Sequence, residues 1–192
     1  GNNQDGCKPE SVPIKLLADG VDTGKTLVLT ATNNWTDTFT DLDEYKAGTK
    51  IVYTIEELTL GSGYTSVITG DAATGFEVTN TKTPEVVDVS GTKTWEDNND
   101  QDGMRPESIT IRLLKNGTEI ASKIVTEADG WAWSFTDLPK YEAGELITYT
   151  ITEDTVSEYS SAVSGYNVTN TYTPGKTSVQ ETKAWADGNN QE

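Results

Sequence analysis

The chain has 192 residues, of which 31 are acidic and 14 basic, giving a formal net charge of -17 with no histidine and one cysteine. That charge repels phosphate backbones and anionic headgroups, so no nucleic-acid or membrane partner is expected, and no apolar run approaches the ~20 residues of a spanning helix. A lone Cys7 excludes an intrachain disulfide, and the missing histidine removes Ser-His-Asp and Cys-His catalysis with most zinc chemistry, so neither a metal nor another cofactor is expected.

Taken in chain order, the predicted elements are short strands. IKLL from Ile14, TLVLTA from Thr26, KIVYTIEE from Lys50 and GFEVTNT from Gly75 are each bounded by Gly, Asn, Asp or Pro. The pattern then starts again. NNQDGCKPESVPIKLLADG from Asn2 aligns with NDQDGMRPESITIRLLKNG from Asn99, FTDLDEYKAG from Phe39 with FTDLPKYEAG from Phe135, and EVTNTKTP from Glu77 with NVTNTYTP from Asn167. In the second copy Ile147, Tyr149 and Ile151 alternate with Thr148 and Thr150, which predicts one dry and one wet face. Asn116-Gly117 predicts a tight hairpin turn with positive φ, and Trp95 and Trp131 are expected to plug the core. Each copy ends at a proline, Pro84 or Pro174, where pairing should stop. Each repeat therefore reads as an antiparallel β-sandwich of ~7 strands, the two joined end to end through Pro84 to Asp88 as an extended rod.

A third copy opens at the end of the chain, where KAWADGNNQ from Lys183 matches KTWEDNNDQ from Lys93. The expected domains are thus 1-84, a repeat lacking its first strand; 88-175, a complete repeat; and 178-192, the first strand of another. Two explanations of this phase stand side by side. Either the sequence is cut from a longer array, or chains complete one another head to tail, with Lys183 of one placed against Asn80 and Glu57 of the next.

The blocks KTWEDNNDQDGMRPESITIRLL, FTDLPKYEAG, YTITED and NVTNTYTP resemble the B-type repeat of Cna, the collagen adhesin of Gram-positive surfaces, over essentially all of residues 88–175; residues 1–84 resemble the same repeat without its opening strand. The resemblance implies an all-β, inverse immunoglobulin-like sandwich and a self-made crosslink. In such repeats a lysine on the first strand attacks the side-chain amide of an asparagine on the last, assisted by a glutamate, and the matching residues are Lys93, Asn170 and Glu153. The chemistry suits those residue types: burial favours the neutral forms of an amine and of a carboxylic acid, and a neutral pair can move protons as ammonia leaves. Glu57 and Asn80 hold the same slots in the first copy, while Glu56 should face solvent.

By that resemblance the repeats are stalk modules of a secreted, cell wall-anchored adhesin, part of a longer chain whose partners are neighbouring repeats. A second reading makes the repeats themselves adhesive for a host protein or carbohydrate, through aromatics such as Tyr64, Tyr159 and Tyr166. A third, a two-carboxylate glycosidase, has only acidic pairs such as Glu56-Glu57 and Asp41 with Asp43 and no sign of a shared cleft, so no enzyme is expected beyond single-turnover self-modification. Asn98, Asp100, Asp102 and Gly103 resemble half of a calcium loop, but Ile109 stands where the bidentate Glu belongs. The sequons at Asn34, Asn116 and Asn167 are read as chance, and Cys7 as a packed thiol without a role.

Overall fold

A computed structural model describes residues 3–58 and 63–186. The chain divides into two compact units, Gly1–Asp88 with Thr136–Ile147, and Val89–Phe135 with Thr148–Glu192. Strands of the first repeat are β1 (Ser11–Ala18), β2 (Val21–Thr30), β3 (Tyr45–Lys46), β4 (Thr49–Lys50), β5 (Tyr53–Glu57), β6 (Thr65–Asp71) and β7 (Gly75–Thr81). Those of the second are β8 (Val86–Glu96), β9 (Ser108–Lys115), β10 (Thr118–Thr126), β11 (Ala132–Pro139), β12 (Tyr141–Glu142), β13 (Glu145–Leu146), β14 (Tyr149–Glu153), β15 (Ser160–Ser164) and β16 (Asn167–Thr171).

The second repeat is built from a three-stranded sheet ordered β10-β9-β14 and a four-stranded sheet ordered β11-β8-β16-β15. Residue alternation sorts its side chains as the sequence predicts: Ile109, Ile111 and Leu113 of β9, and Tyr149 and Ile151 of β14, are buried, while Thr150 and Thr152 are exposed. From the other sheet Val89, Trp133 and Val168 close the core. The β9–β10 hairpin turns on Asn116 (φ 49°) and Gly117 (φ 83°), the left-handed pair that a two-residue turn requires. One pairing departs from the antiparallel expectation. Strand β8 lies parallel to β16, with Lys93 opposite Val168 and Trp95 opposite Asn170, so the first and last strands of the repeat are neighbours running the same way.

The core tryptophan is Trp133, 4% exposed, and not the expected pair. Trp95 and Trp131 are half-buried and meet edge to face at 5.1 Å. Gly91 explains how β8 comes so near its neighbours: a Cβ there would sit 1.7 Å from the Tyr166 carbonyl oxygen and 2.8 Å from Trp133 Cζ2.

In the first repeat β2-β1-β5 reproduces one sheet, with Val12, Ile14 and Leu16 buried, and β6-β7 is a lone hairpin standing for β15-β16. Among the described residues no strand takes the place that β8 has in the second repeat. Residues 36–43, which align with β11, form no strand either, because the strand they would hydrogen-bond is the one without a counterpart. At the other end, residues 178–186 form no strand, so the expected opening strand of a third repeat is not formed there; residues 187–192 lie outside the described residues. Val179 and Trp185 in that segment are 92% and 77% exposed.

Candidate functional site

Strand periodicity aims Lys93 and Trp95 of β8 to one face, and the parallel register lays Val168 and Asn170 of β16 on that same face. Across the core, Glu153 ends β14 opposite Ile111 of β9. The side chains of Lys93 and Glu153 are 0% and 1% exposed, and the Lys93 ammonium donates to Glu153 Oε1. The second carboxylate oxygen, Oε2, accepts a 2.8 Å hydrogen bond from Ser161 Oγ. Burial pushes the Lys93 amine below the ordinary lysine value, with the Glu153 carboxylate opposing that shift. Its Nζ also lies 4.7 Å from the centroid of the Trp95 ring.

Asn170 is wholly buried, and neither Oδ1 nor Nδ2 has a hydrogen-bond partner. An unsatisfied buried amide group costs about 1–3 kcal/mol, a cost that folds accept mainly where function requires it. Of the three residues singled out by resemblance, the structure pairs Lys93 with Glu153 and buries Asn170 without a partner on the strand that runs beside Lys93.

The first repeat carries the same pair without an amine. Asn80 Nδ2 donates to Glu57 Oε1 at 2.6 Å, while Glu57 Oε2 and Asn80 Oδ1 are buried without partners. Glu56 is exposed, as expected. Lys183 is not part of this group here; its Nζ lies 4.6 Å from the ring centroid of its own neighbour Trp185.

Two features of the second repeat escaped the sequence reading. Ser161, which orients Glu153, had a visible signal in Ser66, its counterpart in the aligned TSVITG and SSAVSG blocks. Asp97, 1% exposed, accepts from Arg105 Nε (3.0 Å) and Nη2 (2.7 Å), from Tyr159 Oη (2.9 Å) and from the Asp100 amide (3.0 Å). Arg105 holds the Asp97 carboxyl well below the usual range, and burial together with that carboxylate pushes Tyr159 up to about 12. This network, with Trp95 packed on Tyr159 at 5.0 Å, clamps the end of β8 next to Lys93. Tyr64, Tyr159 and Tyr166, the aromatics that the adhesive reading takes as exposed contacts, are all half-buried.

Two β repeats that carry the same glutamate and asparagine slots, Glu57 with Asn80 and Glu153 with Asn170, define a modular β-sandwich repeat protein. The chain belongs to the Cna protein B-type domain family, whose model matches residues 1–81 and 89–171. It is 46% identical over 191 residues to a collagen adhesin of Staphylococcus aureus, a match covering 100% of this chain and 16% of that protein. It also matches the crystal structure of two B repeat units (B1B2) of the collagen binding protein of Staphylococcus aureus, with a TM-score of 0.77 and 44% identity over 91% of this chain and 47% of the other. The chain therefore spans a small part of the adhesin it resembles.

Proposed function

We propose that these repeats are load-bearing stalk modules of a cell wall-anchored surface adhesin, and that the second is locked by an isopeptide bond between Lys93 and Asn170. The observation that carries the reading is the unpartnered Asn170 amide in the same dry core as the Lys93–Glu153 pair. Proton transfer from Lys93 to Glu153 leaves both neutral, which burial favours. The free amine then attacks Asn170 Cγ; a C–N bond forms, the Cγ–Nδ2 bond breaks, and Glu153 relays the amine proton to the departing nitrogen, which leaves as ammonia. The reaction happens once per molecule and consumes its own residues, so it is self-modification and not turnover.

The bond would join the strand by which the chain enters the repeat to the strand by which it leaves, β8 to β16. Tension applied at the two ends would then pass through a covalent link and leave the hydrogen-bonded sheets unloaded. Partners in this reading are neighbouring repeats of the same extracellular protein. The test is to compare the chain with its Glu153→Ala variant in thermal melting and protease digestion. The variant should fold yet retain the ammonia and lose resistance in both assays; equal resistance with the bond absent would refute the load-bearing role.

A further inference from the structure

The acidic turn that resembles half of a calcium loop is built alike in both repeats. Asn3 and the aligned Asp100 stand in the left-handed region, at φ 53° and 56°. Their carbonyl oxygens accept the amides of Gly6 (2.9 Å) and Gly103 (3.0 Å), and their side-chain Oδ1 atoms accept the amides of Lys8 (2.7 Å) and Arg105 (2.9 Å). These bonds brace the turn, and each turn presents one further carboxylate, that of Asp5 or of Asp102.

That carboxylate meets the segment by which the chain leaves the same repeat. Strand pairing ends at Thr81 and Thr171, and Pro84 and Pro174 have no N–H to offer, so the first donor beyond each proline is the amide of Glu85 or Gly175. Glu85 N–H donates to Asp5 Oδ2 at 3.0 Å, and Gly175 N–H donates to Asp102 Oδ2 at 2.8 Å. The same oxygen takes a second donor from the residue two before the proline. In the first repeat the Lys82 ammonium lies 3.5 Å from Asp5 Oδ2, and in the second Tyr172 Oη donates to Asp102 Oδ2 at 3.0 Å. An ammonium and a phenol thus fill one slot, so the arrangement survives a change in the donor's chemistry. It is present in the second repeat, where β8 is formed, and in the first, where no described strand takes that place. Each pair lies inside one compact unit.

We infer that Asp5 and Asp102 are clasps, each tying the exit segment of a repeat to that repeat's own turn. The chain is then free to change direction only beyond Glu85 or Gly175, and not from the end of the last strand. Strand β8 begins at Val86, the residue after the first clasp, so this joint has no slack while the clasp is closed. Released, residues 82–85 would add up to about 13 Å of extended chain. The clasp stands on the geometry alone, whereas its use, keeping slack out of a stalk, rests on the load-bearing reading.

The test is amide hydrogen exchange of the full chain, followed residue by residue by NMR. Asp102 is exposed, so its replacement leaves the core untouched. Asp102→Ala should speed exchange at Gly175 about tenfold, the effect of losing a hydrogen bond to a charged acceptor, and leave Glu85 and the core amide of Ile111 unchanged. Asp5→Ala should release Glu85 and leave Gly175 protected, and trypsin should then cut after Lys82 faster than in the unaltered chain. Asp102→Asn keeps an acceptor oxygen and should hold most of the protection at Gly175. Lys82→Tyr, which copies the donor of the second repeat, should keep Glu85 protected. Unchanged exchange at Gly175 in Asp102→Ala would overturn the proposal. So would equal release in Asp102→Asn and Asp102→Ala, which would be an effect of charge with no bond behind it. The Glu153→Ala comparison reports separately on the stalk: released amides in Asp102→Ala, alongside unchanged melting and digestion of Glu153→Ala, would leave the clasp standing and remove only its use.

Discussion

The Lys93 and Glu153 side chains are 0% and 1% exposed, and charges in that position cost several kcal/mol each to desolvate. In the proposed reaction, conversion to a neutral pair and then to an amide would remove that cost. Internal proton transfer leaves the number of protons on the Lys93–Glu153 pair unchanged, so bond formation after refolding should be level with pH until the lowered Lys93 value is passed and should slow above it, where the pair loses the proton that the departing nitrogen needs. Stopped refolding followed by mass measurement across pH checks this; a rate that keeps rising with pH would contradict it. Ser161 acts through Glu153, so Ser161→Ala should slow bond formation by about tenfold, the effect of losing a hydrogen bond to a charged group, with Ser161→Thr restoring most of the rate. Asp97 titrates with the opposite sign to a lysine. Its folded pKa lies below the ~3.9 of an unfolded chain, so its stabilisation is complete above that value and is lost as pH falls towards the folded one. Acid unfolding of Asp97→Asn should therefore be less steep than that of the unaltered chain, starting from a lower stability at neutral pH.

At the scale of elements, β8 is the piece on which the second repeat depends. Gly91→Ala would drive a Cβ into the Tyr166 carbonyl, and overpacking of this sort costs about 1–3 kcal/mol or more. The variant should melt lower and crosslink more slowly, as seen by calorimetry and mass; an unchanged melt would show that β8 lies elsewhere. The alternation at Ile147, Tyr149 and Ile151 and the Asn116-Gly117 turn were readable in the sequence because they are local. The parallel pairing of β8 with β16 was not, since strand direction is decided by topology and leaves no period in the residues. Trp131, in the left-handed region at φ 53°, belongs to the turn that precedes β11, whereas Trp133 lies within that strand and faces the core. Lys93, Glu153 and Asn170 were singled out by the family resemblance, with the repeated slots at Glu57 and Asn80 in support, yet the lack of any partner for the Asn170 amide is a property of packing alone. The loss of strand structure over residues 36–43 shows the same dependence in reverse: the FTDL block is nearly identical in both repeats and pairs only where β8 is present.

For the molecule as a whole, the two repeats form a natural comparison, one with its amine in place and one without. The central proposal is that Lys93, Glu153 and Asn170 react with one another, and that the joined strands make the module resistant to pulling and to proteases. Mapping the proteolytic peptides of the folded chain by mass spectrometry tests this most directly. A branched peptide is expected in which the Lys93 side chain is bonded to that of Asn170 with the loss of one ammonia, present in the unaltered chain and absent from Lys93→Met and Glu153→Ala. Recovery of linear peptides carrying an unmodified Lys93 and an unmodified Asn170 from the well-folded chain would contradict it.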